Sequence, residues 1–338
     1  MTSPLLRPTA LQTHAGIDVP LICGPMYPCS NPELVAAVSR AGGLGVVQPI
    51  SLTYVHGQDY RAGLRRIHAL AEGRPIGFNA LIEGNNQAYR ARMERWIDIA
   101  LEEGVRFFVT SLGNPRWVVE RVAPVGGVVY HDVTEAKWAS KARDGGVHGL
   151  IAVNRRAGGH AGRLGTEELL EELLPFGLPV VCAGGLGTPA DVVAAIRLGY
   201  AGAQLGTRFI ATVECTASDA YKQAIVAASE EDVVLSEKLT GVPVAVLNTP
   251  LIRRMGLRAG PFARWMLRGR RTKHWMRTFY ALTSLWRLKR SLTARDVEYW
   301  QAGKSVAGIH DIVPAGEVVA AVRAALAEAT SPTTAAPA

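Results

Sequence analysis

The 338-residue chain has little with which to cross-link itself, hold a metal or span a bilayer. Its four cysteines, Cys23, Cys29, Cys182 and Cys215, lack metal-ligand spacing, and Cys23 and Cys182 fall in apolar runs where buried thiols are common. No apolar run approaches the roughly 18 residues needed to cross a membrane, and the opening MTSPLLRPTALQTHAG lacks the apolar core of a secretory signal. These absences lead us to expect a cytoplasmic protein with neither a disulfide framework nor a metal site. No recognised nucleic-acid module accompanies the positive charge, which argues against a nucleic-acid partner. The dinucleotide fingerprint GxGxxG is also missing after the first apolar run, where Gly24 is followed by PMYPCS.

What the chain has is apolar residues, 48% of the total, ample for the core of one large barrel or two ordinary domains. The runs at 20–24, 44–48, 75–82, 105–111, 127–131, 147–153, 178–184 and 202–206 read as strands. Helical patterns separate them at 31–43, 60–72, 88–103, 115–122, 134–144, 166–174 and 189–198. The first of these shows the local signals: Ser30 or Asn31 as cap, Pro32 in the first turn, glycines at the end. Eight strands alternating with helices predict an α/β protein with a parallel sheet, and eight is the number that closes a (β/α)8 TIM barrel. Residues 1–228 would form the barrel core and 229–300 a mainly helical, strongly basic insertion or lid. Residues 301–329 would return to the barrel, and 330–338, TSPTTAAPA, small, polar and proline-bearing, would form a disordered tail.

Three strands open into glycine. The sixth runs into VNRRAGGHAGRLG around His160, the seventh into AGGLG and the eighth into QLGTRF. In a barrel of this kind the loops after the strands carry the site, and a phosphate commonly sits after strands seven and eight. Amides unobstructed by side chains can approach a phosphate there, and the helix starting near Pro189 would aim its positive end at the same place. A phosphate-bearing cofactor or substrate is therefore expected. His160, whose imidazole titrates near neutral pH, is the catalytic candidate.

These glycine motifs, with GPM at 24–26, SRAGGLGVV at 39–47 and QAGKSVAGIHDIVPAGEVV at 301–319, resemble the nitronate monooxygenase family, or 2-nitropropane dioxygenases. That family includes FMN-dependent enoyl-acyl carrier protein reductases of the same fold. The resemblance implies FMN across the barrel mouth, with Gly24, Pro25 and Met26 against the flavin ring, Asn79 as a side-chain contact and Gly158 close by. Gly184, Gly185, Gln204, Leu205, Gly206 and Thr207 would surround the phosphate. The implied reaction oxidises an alkyl nitronate with dioxygen to a carbonyl product and nitrite. His160 would take a proton from the carbon beside a nitro group, or hydrogen-bond the nitro oxygens. Two alternatives stand beside it: an NAD(P)H-dependent enoyl-thioester or quinone reductase, and a catalytically silent flavin-binding interaction protein.

The chain departs from the family before AGGH, where Val153, Asn154, Arg155 and Arg156 stand in place of the usual glutamine and acidic residue. Arg155 and Arg156 are candidates for a carboxylate, nitronate or phosphate, or they point to solvent or pair near Glu167 and Glu168. His131 and Asp132 end the fifth strand and would face the mouth as substrate contacts, with helix capping as the alternative for Asp132. From Arg253 to Arg290 the chain holds 12 Lys/Arg and no acid, against +8 overall, so the remainder carries −4. Aromatic residues at helical spacing within it suit a lid, a dock for an acidic carrier protein or coenzyme A phosphates, or a membrane-surface helix.

Overall fold

The computed structural model describes residues 7–82, 87–238, 242–258, 260 and 299–330. Eight parallel strands close on themselves: β1 (Leu21–Cys23), β2 (Leu44–Val47), β3 (Ile76–Ile82), β4 (Phe107–Leu112), β5 (Val128–Val133), β6 (Gly149–Val153), β7 (Val180–Ala183) and β8 (Gly202–Leu205). The last strand pairs with the first, Ile22 opposite Gln204 and Cys23 opposite Leu205. The (β/α)8 barrel expected from the strand count is the fold.

The helices that follow the first strands are α2 (Pro32–Arg40), α3 (Tyr60–Leu70), α4 (Gln87–Glu102) and α5 (Arg116–Val122), after a short N-terminal α1 (Ala10–Ala15). They continue with α6 (Ala136–Asp144), α7 (Thr166–Leu173), α8 (Pro189–Leu198), α9 (Thr207–Ile210) and α10 (Asp219–Ala227). Asn31 stands at the start of α2 without capping it. Its amide instead donates to Glu33 Oε2 and the Glu214 carbonyl, both at 2.9 Å. At the start of α3, Asp59 does cap, accepting from the Ala62 amide at 3.0 Å.

Two faces of the strands build two cores. Ile22, Leu44, Val46, Phe107, Val109, Tyr130, Ile151 and Val181 point inward and fill the barrel with Leu11, Ala15 and Ile17 of the N-terminal segment. Leu11 is packed so close to Gly202 that a Cβ there would lie 2.4 Å from it, and His14 Nδ1 meets the Tyr130 hydroxyl at 3.0 Å. The N-terminal helix thus stops one end of the barrel, and the opposite end is left as the mouth. The alternate residues, including Cys23, Val47, Phe78, Phe108, Val129, Val133 and Cys182, face the helix layer. All four cysteines are buried and unbridged.

The chain then leaves the barrel. Its described part includes an antiparallel pair, β9 (Val233–Ser236) and β10 (Val244–Leu247), and the short α11 (Pro250–Met255). Within the predicted insertion over 229–300 the described residues thus include a strand pair, VVLS against VAVL, as well as α11, and most of the predicted helical part lies outside the described residues. Of the basic stretch 253–290, only 253–258 and 260 lie within the described residues; of the predicted tail 330–338, Thr330 ends the last helix and 331–338 lie outside them. The chain returns through Val313, which bridges Thr212, and ends in α12 (Ala315–Thr330), where Arg323 donates to the Ala41 carbonyl behind α2.

Candidate active site

The mouth is built from four loops. After β1, the Gly24 amide continues the ladder to the Leu205 carbonyl at 2.9 Å, and the Gln204 side chain lies across Gly24, where a Cβ would sit 3.0 Å from Cγ. Met26 and Ser30 lock the GPM turn reciprocally: the Met26 amide donates to Ser30 Oγ, and the Ser30 amide to the Met26 carbonyl, each at 2.8 Å. Met26 Sδ reaches to within 3.5 Å of where a Cβ on Gly206 would stand. The segment 24–26 and the segment 204–207 are thus one continuous surface.

Asn154 ties the loop after β6 to the loop after β7. The side chain is fully buried; its Nδ2 donates to the Gly184 carbonyl at 2.9 Å and its Oδ1 accepts from the Arg156 amide at 2.8 Å. Its carbonyl also receives the Gly162 amide at 3.3 Å, so both ends of the AGGHAG loop hang on this residue. Sequence reasoning treated Asn154 only as a departure and missed this role.

The segment after Trp300 closes the site from above. A Cβ on Gly158 would lie 2.8 Å from the Gly303 nitrogen, the Gly303 amide donates to Thr207 Oγ1 at 3.0 Å, and the Lys304 amide donates to the Arg156 carbonyl at 2.9 Å. Trp300 stacks on Tyr221 with centroids 5.4 Å apart, and the Tyr221 hydroxyl donates to the Gln301 carbonyl. Arg208, 5% exposed, donates to Asp311 Oδ1 at 2.8 Å and fixes the start of the returning segment against α9. Gly303, Tyr221 and Arg208 were passed over in the sequence, although QAGK and QLGTRF both carried the family resemblance.

Gly184 and Gly185 take φ of 115° and 78°, a region glycine enters without the steric cost a side chain would meet. The free helix end predicted beside them is not free. Asp191 Oδ2 accepts from the Gly187 amide at 2.9 Å and the Thr188 amide at 2.8 Å, so α8 caps itself with its own carboxylate. A phosphate here has to rely on the glycine backbone and on Thr207.

His160 is exposed at the rim, and the surrounding protein still lowers its pKa from the ordinary value by burial. Its loop is held by Gly159, which pairs with Ala245 of β10: the Ala245 amide donates to the Gly159 carbonyl at 2.8 Å. Arg156 does not offer a free cation, because its guanidinium grips both carboxylate oxygens of Glu230, Nη1 to Oε2 at 3.1 Å. Arg155 is exposed, with its guanidinium beside Gly165 at the start of α7.

His131 is not at the mouth. Tyr130 belongs to the barrel interior and Val129 and Val133 to the outer core, so the two-residue period of β5 turns His131 toward the helices. There it is 4% exposed, meets Thr110 Oγ1 through Nδ1 at 2.8 Å, and burial depresses its pKa to about 4. Asp132 takes the inward position instead.

The residues present fit a flavin. The Asn79 side-chain oxygen on the inward face of β3 and the Gln204 side-chain oxygen on β8 are both buried with no hydrogen-bond partner among the described residues. Such acceptors cost about 1–3 kcal/mol each unless something donates to them, and a ring edge that carries an N–H or O–H at the mouth satisfies that need. Beside them Gly24 lies under the Gln204 side chain and Gly158 under the 302–303 backbone, so neither position has room for a side chain of its own.

The nitronate monooxygenase family signature matches residues 8–324. A (3aS,4S,5R,7aS)-5-hydroxy-7a-methyl-1-oxo-octahydro-1H-indene-4-carboxyl-CoA dehydrogenase from Rhodococcus jostii is 31% identical over 72% of this chain and 67% of its own length. The nitroalkane oxidase of Streptomyces ansochromogenes superposes with a TM-score of 0.77 at 25% identity, covering 95% of this chain and 99% of that one. FabK from Thermotoga maritima superposes with a TM-score of 0.76 at 25% identity, covering 95% and 96%. With the barrel, the glycine loops and the orphaned amides in place, the chain belongs to the nitronate monooxygenase family and is an oxidoreductase of a flavin-dependent kind.

Proposed function

We propose that this protein is an FMN-dependent oxidoreductase acting on an acyl thioester of coenzyme A. The observation that carries the reading is where the acid-free basic stretch begins and ends. Ala245 pairs with Gly159, next to His160, and the chain reaches Arg253 eight residues later. On its return, Gln301 bridges Val246 of the same strand. Twelve cations between two anchors at the catalytic rim suit a substrate that carries several phosphates on a handle remote from its reacting carbon. The CoA dehydrogenase similarity supports the same class.

FMN supplies hydride exchange with carbon when bound. His160, neutral because burial lowers its pKa, accepts the proton from the carbon next to the thioester carbonyl, or returns it in the reductive direction. Gly24 and Gly158 let Gln204 and the returning segment pack against the backbone at the mouth, which brings these parts of the site together. The nitronate reading stands second, favoured by the nitroalkane oxidase superposition. It needs only a small anion beside His160.

The test is anaerobic bleaching of the yellow protein by a saturated acyl-CoA, by NADH or NADPH followed by an enoyl-CoA, and by a small nitronate. The expected result is turnover of the CoA thioester, with KM raised at least about tenfold for the truncated pantetheine thioester. Bleaching by nitronate with none by thioester or nicotinamide overturns the proposal.

A further inference from the structure

We propose that Asp132 is a second proton-bearing group of this site, a neutral carboxyl that donates a hydrogen bond to the carbonyl oxygen of the bound substrate. The role rests on the thioester reading above, but the state of the carboxyl does not.

Asp132 is the next-to-last residue of β5, and the strand's alternation puts it on the same face as Tyr130, two residues nearer the mouth. Val133 opposes Ala152 and Asp132 opposes Ile151 on β6, so the carboxyl stands against the mouth-side edge of the apolar filling, which includes Ile151 and Tyr130. The residue is partly covered, while its Oδ1 is buried and has no hydrogen-bond partner among the described residues. Helix capping does not explain it. The start of α6 is capped by another route, the Ala136 amide donating to Glu172 Oε2 at 3.1 Å.

Among the described residues, no neighbour stabilises a charge there. The inward partner of Asp132 on β6 is Ile151, with Val153 next along that strand and Ser111 at the end of β4; none of them ionises, and His131 on the same strand faces the opposite way. His160, on the loop after β6, also titrates at this rim, and burial alone accounts for its shift; the charges of Arg156 and Glu230 on the same side are committed to each other. Burial alone likewise pushes Asp132 up to about 7. A buried carboxyl without cation or amide donors keeps its proton and becomes a donor.

That donor completes a division of labour. Removing a proton from the carbon beside a thioester leaves an enolate whose negative charge gathers on the carbonyl oxygen. A hydrogen bond from Asp132 Oδ to that oxygen stabilises it as it forms, and His160 holds the carbon's proton. No net proton leaves Asp132, so the balance is carbon to imidazole only.

Two variants test this. Asp132→Asn keeps a hydrogen-bond donor but cannot ionise, so turnover that falls in the wild type as pH rises through about 7 stays level in this variant. Asp132→Leu removes the donor, and the rate at pH 6 falls at least about tenfold with flavin content unchanged. Infrared spectra of the protein, with no substrate added, should show a protonated carboxyl band that fades as pH rises through about 7 and is missing in Asp132→Asn. A pH fall that persists in Asp132→Asn, or an Asp132→Leu enzyme as fast as the wild type, overturns the catalytic role. If no acyl-CoA is turned over, the thioester reading fails. The infrared band then decides alone, and its absence at pH 6 overturns the proposal.

Discussion

Arg156 and Glu230 form a two-pronged ion pair that joins the loop after β6 to the segment leading into β9. The Arg156 stem runs over Gly185, with Nε 2.5 Å from where a Cβ would stand, so the pair also lies on the glycine turn after β7. Both side chains are about one-third exposed, 36% and 32%, which limits the energy of the contact. Its main effect is positional: the cation that the sequence offered to substrate is committed to the insertion.

Glu230→Ala should therefore cost at most about 1 kcal/mol of stability. Freed from its partner, Arg156 becomes available to anions at the mouth. A double-mutant cycle with Arg156→Ala, read by urea unfolding, should return a coupling of about 0.5–1 kcal/mol. The same Glu230→Ala protein should bind inorganic phosphate more tightly than the wild type in calorimetry. Additive unfolding energies with unchanged phosphate affinity would show that the pair does not restrain Arg156.

Asn154→Ala should be among the most damaging single changes at the site. It leaves the Gly184 carbonyl and the Arg156 amide without their partners inside a fully buried spot. Each unpaired group costs about 1–3 kcal/mol, so a loss of about 3 kcal/mol in urea unfolding is expected. Asn154→Asp should recover only the bond from the Arg156 amide, and so fall between the two.

The barrel was legible because buried parallel strands are short apolar runs punctuated by glycine and proline, and the chain offers eight of them. The same property hid which way each side chain faces. VVYHDV in β5 is covered on both faces, so no polar alternation marks His131 as outward or Asp132 as inward, and the reading put both at the mouth. The self-capping of α8 was available in the sequence, since Thr188 and Asp191 stand at capping-box spacing. The pairing of β9 with β10 was not, because a four-residue apolar run does not distinguish strand from helix by period. Gly158 and Gly303 matched family motifs separately. Only the fold brings them within touching distance.

Gly158→Ala tests that closeness. The new methyl would meet the Gly303 nitrogen at 2.8 Å and the Ala302 carbonyl carbon at 3.0 Å, both backbone atoms that cannot swing aside. Overpacking of this sort costs about 1–3 kcal/mol, and relief requires the 301–304 segment to lift off Thr207. The flavin dissociation constant should rise at least about tenfold while the circular dichroism spectrum is retained. Equal flavin retention would mean that the segment is not part of the cofactor cradle.

His131 should make the protein sensitive to mild acid. Its pKa is about 4 in the fold, held down by burial, against an ordinary value of 6.5 for the unfolded chain. Above 6.5 both states are neutral and the residue contributes no pH dependence. Between 6.5 and 4 the unfolded chain takes up a proton that the native state refuses, so stability falls as pH drops through this window. The full loss is about 3 kcal/mol. Asp132 has the opposite sign, because its raised pKa makes stability fall as pH rises from about 4 to about 7, and the two slopes partly cancel in the wild type. Replacing each separates them. His131→Gln should flatten the acid side of the stability profile, measured by urea unfolding from pH 4 to 8, even if the lost Thr110 contact lowers the whole curve. An acid slope as steep as the wild type's in His131→Gln would place the titrating group elsewhere.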